Sequence, residues 1–228
     1  ENWRLLPPLW ALVPLFTLFA FTKVPIYAIP GDDEETRLPK SIFRIKVFWI
    51  LFFVMICAGA SEQGVSQWSS MFAEDGLKVS KTVGDLLGPC SFAFFMGLSR
   101  FLYGMKGENL KLIPSLKATS LLCILGYLVT SLSPIPLLSL AGCAICGFSV
   151  GLMWPGTFSL GAAYLRGGGT FMYAMFALAG DIGCSAGPGV VGIISQFTGK
   201  MNLGILTAIL FPLGMLILVS LLKHQKTA

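Results

Sequence analysis

Apolar runs separated by short polar words divide the chain into seven segments, near residues 3–24, 44–71, 82–104, 112–132, 134–164, 168–198 and 203–222. Each is long enough for a helix to cross a hydrocarbon core about 30 Å thick, which takes roughly 18 or more apolar residues. The pattern predicts an all-α membrane protein with seven transmembrane helices, because a single segment in lipid must satisfy its own backbone polar groups. The second segment is the least regular. Residues 47–60 are continuously apolar, but "SEQGVSQWSSM" then continues with polar side chains, as a helix lining a polar cavity would. The fifth is too long for a straight crossing and carries Pro155, which predicts a tilt or kink.

Composition agrees with a membrane protein. The 228 residues are 55% hydrophobic and 12% charged, with a mean hydropathy of +0.78, whereas soluble domains carry about 25% charged residues. The net charge of +5 is spread between apolar segments rather than gathered on one face, which reads as topology and argues against a nucleic-acid partner. All six cysteines fall within apolar segments, as small core hydrophobes do. Cys143 and Cys146 form a CxxC, but without a second pair or a nearby His they do not read as a metal site. No cofactor is expected. The chain opens at Glu1 and enters an apolar run at once, without the features of a signal peptide, so it reads as a fragment.

Basic residues in alternate connections give an orientation, since cytoplasmic loops are enriched in Lys and Arg. One set contains Lys23, Arg37, Lys40, Arg44 and Lys46, then Arg100, Lys106, Lys111 and Lys117, then Arg166, Lys223 and Lys226. The other contains only Arg4, Lys78, Lys81 and Lys200. The asymmetry predicts an N-terminus outside, a C-terminus in the cytoplasm and a cytoplasmic first loop, in a plasma or bacterial inner membrane. That loop, "IPGDDEETRLPKSIFRIK", is the one sizeable hydrophilic stretch. Its acids, Asp32 to Glu35, read as a solvated face or as a gating contact.

Two segments share a word. "GDLLGP" (84–89) opens the third segment, and "GDIGCSAGP" (180–188) lies inside the sixth. If the last six segments are two triplets, these are the middle helices, and triplets of three crossings must be inverted relative to each other. Inverted repeats are a recurring plan of secondary transporters, with the solute near the midplane where repeats meet. Gly180, Gly183 and Gly187 make a smooth helical stripe that permits close approach of another helix, and Gly147 and Gly151 repeat the spacing on the fifth segment. Asp181 and Ser185 form a polar strip beside the stripe.

These words, in their order, resemble the major facilitator superfamily, and specifically the C-terminal half of its fucose-permease-like sugar transporters. "NWRLL" looks like the opening of the sixth helix in that family. "GLSRFLYG" (97–104) is similar to the cytoplasmic motif after the eighth helix but lacks its full charge pattern; "GLMWPGTFSLG" (151–161) resembles the tenth helix and "ALAGDIGCSAGPGVVG" (177–192) the eleventh. The resemblance implies three parts. Residues 1–24 would be the last helix of a missing N-terminal half, 25–43 the cytoplasmic loop between halves, and 44–228 the six-helix C-terminal half. It further implies solute movement by alternating access between two halves, with a proton as a coupling ion and lipid as the surroundings.

The resemblance also implies that the second and fifth segments line the cavity. Glu62, Gln63, Gln67 and Trp68 on the second, and Trp154 and Thr157 on the fifth, are the candidate solute ligands. Carboxylate and amide groups suit the hydroxyls of a sugar, and an indole offers a ring face for stacking. Against this, the polar end of the second segment can simply reach the outer interface, and Trp154 can pack against the sixth. Asp181 and Asp85 are the candidates for proton coupling or gating, because ionisable groups in apolar surroundings are costly and read as functional, and the resemblance of "GLSRFLYG" to the cytoplasmic motif implies a gating role for Arg100. Asp85 equally reads as a helix cap after Ser80 and Thr82, and Asp181 as a hydrogen-bond partner across the glycine contact.

Three other readings compete. A drug-efflux member of the same superfamily would need a cavity rich in Phe and Met. A membrane scaffold or receptor would bind solute without moving it. An enzyme is not expected. Ser149 in "GFSVG" matches a hydrolase word, yet it lies within an apolar helix, and the single histidine, His224, is in the terminal tail.

Overall fold

The computed structural model describes residues 6–24, 39–107, 110–165 and 167–222, and every regular element among them is a helix. The acids of the first loop (32–35), read as a solvated face or gating contact, the residues of "NWRLL" before Leu6, and Arg166, Lys223, His224 and Lys226 lie outside the described residues. The chain divides into two units at residue 36. The first contains α1, Leu6–Phe21. At 1.5 Å per residue its 16 residues span about 24 Å, less than the 3–24 segment expected and short of a full hydrocarbon core. Its large side chains are exposed all round, Trp10 to 71%, and just past its end Lys23 Nζ lies 5.8 Å from the Phe19 ring centre.

The second unit holds six helices long and apolar enough to cross a membrane: α2 (Lys46–Gly76), α3 (Lys81–Lys106), α4 (Leu112–Leu132), α5 (Pro136–Tyr164), α6 (Gly169–Thr198) and α7 (Met201–Ser220). Short connections thread them up and down, so α2, α4 and α6 run from the entry end, where residues 39–45 lead in, to the far end. Six of the seven expected crossings are thus present in full. The second runs on to Gly76 rather than stopping near residue 71, its polar end wound into a last π-helical turn at Phe72–Gly76.

Irregularities fall at prolines. Pro89 cannot donate to the ladder, and α3 loosens to a π-helical turn over Leu86–Cys90. Pro155 clashes with a carbonyl four residues before it, at Gly151, and α5 breaks between Val150 and Met153. The kink expected from Pro155 is therefore one turn upstream of the residue that causes it. Gly199, with φ of 66°, ends α6 in the left-handed conformation that glycine adopts without strain.

The core is built on glycine. α2 and α6 run in the same direction and pack closest of all pairs: a Cβ on Gly183 would strike the Ile56 carbonyl, one on Gly187 the Ala60 carbonyl, and one on Gly59 the Gly180 carbonyl. The expected stripe is therefore a backbone contact. On α5, Gly147 lies against the Phe92 backbone and Gly151 against Ser99, joining α5 to α3, while Gly126 and Gly142 join α4 to α5. Cys123, Cys143 and Cys146 are buried free thiols within this packing, and no metal-binding cluster occurs among the described residues.

Gly183→Ala should cost about 1–3 kcal/mol, because neither opposing backbone can retreat. Gly189→Ala, where a Cβ meets nothing within 4 Å, should stay within about 0.5 kcal/mol. Thermal unfolding of the two variants in detergent micelles measures the contrast.

Candidate functional site

A polar strip crosses this apolar frame. Glu62 lies near the middle of α2, about 24 Å along from Lys46, with its side chain only 13% exposed. The Arg100 guanidinium reaches it from α3, Nη2 to Oε2 at 3.4 Å, and is itself 45% exposed. Arg100 is therefore not a loop cation, as its place in the orientation count and in "GLSRFLYG" implied. It sits six residues inside α3, because in an apolar helix its charge is best compensated by a carboxylate of the neighbouring span.

Gln63 is within hydrogen-bonding reach of the Glu62 carboxylate and accepts from Gln67 Nε2 at 3.3 Å through its own Oε1. On α6, Cys184 is within electrostatic reach of both Glu62 and Asp181, so the strip continues across the glycine contact. Asp181 is exposed beside the stripe. Its carboxylate makes no hydrogen bond or ion pair among the described residues, and Ser185 bonds only its backbone carbonyl, at 3.2 Å. The bond across the glycine contact expected of Asp181 does not form, because its side chain points beside that contact rather than into it.

The remaining candidates separate. Trp68 is a tie: its Nε1 donates to the Pro188 carbonyl at 3.1 Å, and its ring lies over Gly192. Trp154 packs on Gly180 and 6.3 Å from the Phe158 ring, yet its buried Nε1 has no partner among the described residues. Thr157 is fully buried and its hydroxyl is spent on the Met153 carbonyl at 2.6 Å, which removes it from any open cavity. Asp85 does not cap its helix. It accepts from Ser70 Oγ of α2 and faces Lys81 at 4.0 Å, so it ties the far ends of α2 and α3. Ser149 donates to the Ile145 carbonyl at 2.6 Å, like an ordinary helix serine.

The model of the Major Facilitator Superfamily matches residues 2–188. The chain belongs to that superfamily. No curated protein shows significant similarity to it. Membership makes the chain an integral membrane protein serving the transport of a small solute through a lipid bilayer, and the six spans of residues 46–220 supply the helices that this requires.

Sequence reasoning missed three features. The Tyr127 hydroxyl, fully buried on α4, donates to the Ser61 carbonyl at 2.9 Å. The Tyr103 hydroxyl pairs with Ser159 Oγ at 2.8 Å. A cavity opens at the far end. The first two join separate segments and leave no local signal; the third had one in "SLSPIP" (131–136), a polar and proline-rich word between two apolar runs.

A double-mutant cycle of Glu62→Ala and Arg100→Ala should give a coupling of about 1 kcal/mol, the exposure of Arg100 holding it below that of a buried pair. Unfolding of the two single variants and the double variant measures it.

Proposed function

We propose that residues 46–222 form the C-terminal six-helix half of a secondary transporter of the fucose-permease-like kind, moving a small polar solute of the sugar class together with protons. In this reading α1 closes a preceding N-terminal half and residues 25–43 join the two on the cytoplasmic side. The superfamily, the six spans and the paired Gly-Asp words support that division.

The observation that carries the solute class is the strip itself. One carboxylate, one guanidinium and two amides stand at mid-depth on adjacent spans, and these groups match the donors and acceptors of sugar hydroxyls. Glu62, Gln63 and Gln67 are the ligands in this reading, while Trp68 and Trp154 hold α6 in place through their contacts at Pro188 and Gly180. Thr157 serves only the helix that positions Trp154. Arg100 acts as a gate: when solute engages Glu62, the 3.4 Å pair is exchanged for solute hydrogen bonds, which gives the two occupancies different interhelix contacts. A ligand shifts a conformational equilibrium only through such a difference.

Asp181 is the proton carrier in this reading, since it alone of the three candidate ions has no counter-charge. Asp85, held by Ser70 and Lys81, keeps α2 and α3 together at the far end while the halves rock. The drug-efflux alternative finds less support, because the groups nearest Glu62 are Arg100 and the Gln63 and Gln67 amides, whereas Phe48, Phe52 and Phe53 cluster towards the entry end.

The test is uptake of radiolabelled monosaccharides into proteoliposomes of the full-length protein under an imposed pH gradient. Asp181→Asn should abolish the stimulation by the gradient while leaving counterflow exchange intact. Glu62→Gln should reduce both by at least about tenfold, the loss of a charged hydrogen-bond partner being worth about 1.5–3 kcal/mol. Gradient-driven uptake unchanged in Asp181→Asn would remove that residue as the proton carrier, and unchanged exchange in Glu62→Gln would remove the strip as the solute site.

A further inference from the structure

At the entry end, α2 carries Lys46, Trp49 and Phe53 at i, i+3 and i+7, which puts them on one face of the helix. All three are exposed, Trp49 to 40% and Phe53 to 49%. Glu62 follows Phe53 by nine residues, about two and a half helical turns, so it points to the opposite side. The stripe therefore turns away from the Glu62–Arg100 pair and borders the bilayer that surrounds the spans.

The turn leading into α2 is fixed against this stripe. Ile42 is fully buried, the Ile45 amide donates to its carbonyl at 3.0 Å, and Trp49 Nε1 donates to the Phe43 carbonyl at 2.8 Å. The Phe43 and Trp49 ring centres are 5.8 Å apart, and the Phe53 ring follows 6.4 Å from Trp49. With its N–H committed, the indole presents an apolar ring to lipid about 4.5 Å along the helix from Lys46, and Phe53 lies about 10.5 Å along. That is the depth at which aromatic residues meet headgroups and the first acyl carbons.

Arg44 and Lys46 are exposed at the upper edge of these rings, and neither has an ion-pair partner among the described residues. Lys106, Lys111 and Lys117 add positive charge at the same end, where no carboxylate stands among the described residues. At the far end, by contrast, Lys81 is compensated by Glu74 and Asp85. Two uncompensated cations over a strip of rings match the two parts of one lipid, a phosphate above an acyl chain. We propose that Arg44, Lys46, Trp49 and Phe53 form a binding site for an anionic phospholipid of the leaflet at the entry end, its headgroup on the two cations and an acyl chain along the two rings. In the orientation expected from the basic connections this is the cytoplasmic leaflet, where anionic lipids gather and each nearby Lys or Arg strengthens binding about fivefold. The site rests on the membrane spans alone and does not depend on which solute is moved.

Tryptophan quenching by brominated lipids tests it, in the full-length protein reconstituted into phosphatidylcholine bilayers. The quenching that Trp49→Phe removes reports this site. Brominated phosphatidylglycerol should reach it with a binding constant at least about fivefold above that of brominated phosphatidylcholine. Arg44→Ala combined with Lys46→Ala should bring the two lipids within about twofold of each other, while Lys200→Ala at the far end should leave the preference unchanged. Equal quenching by the two lipids in the parent protein overturns the proposal, as does a preference that survives the double substitution or that Lys200→Ala also removes.

Discussion

The contact of α2 with α6 through bare backbone is the constraint on which the rest depends. Between helices in lipid there is little hydrophobic drive, so association rests on close packing and a few hydrogen bonds. Gly59, Gly180, Gly183 and Gly187 provide that packing over about two turns, with the Trp68 bond to Pro188 closing it at the far end. Because the two helices meet without intervening side chains, Glu62 on one comes within electrostatic reach of Cys184 on the other, and Asp181 lies beside Cys184 on its own helix. The same contact fixes the wall of the far-end cavity, since Trp68, Pro188 and Gly192 belong to both.

Polar side chains in such a frame divide by where their hydrogen bonds go. Ser61, Ser120, Ser149, Thr157 and Ser220 each return a hydroxyl to the carbonyl four residues back, so they cost the membrane nothing and report nothing about solute. A smaller group reaches between spans: Glu62 with Arg100, Ser70 with Asp85, Tyr127 with the Ser61 carbonyl. These hold the bundle in register at three depths. Ser131, Ser195 and the Trp154 indole belong to neither group: their polar atoms are buried without a partner among the described residues.

What could be read along the chain was whatever is local. Six spans followed from the length of apolar runs, the break in α5 from Pro155, and a face of α6 smooth enough for close helix contact from glycines at helical spacing. What could not be read was pairing between segments. Arg100 looked like a loop cation because its partner, Glu62, lies 38 residues earlier, and Thr157 looked available because its full burial depends on packing between segments. Trp68 was visible as an aromatic at a polar helix end, but the bond that commits its N–H lies 120 residues away. The far-end cavity is assembled from four separate stretches and has no single-segment signature beyond the word at 131–136.

The two Gly-Asp words show how a shared sequence diverges in chemistry. The later glycines do the same thing, Gly88 lying against Ser69 of α2 as Gly187 lies against Ala60 of the same helix, whereas Gly84 meets Ala73 of α2 and Gly180 meets the Trp154 ring of α5. The aspartates do not. Asp85 falls near an end of its span, where Ser70 and Lys81 are at hand, and its charge is absorbed. Asp181 falls about 18 Å into a 30-residue helix, with no counter-charge beside it. An uncompensated carboxylate at that depth is too costly to face acyl chains. That face of α6 therefore borders water or protein, and the glycine stripe next to it keeps α2 from being the protein in question.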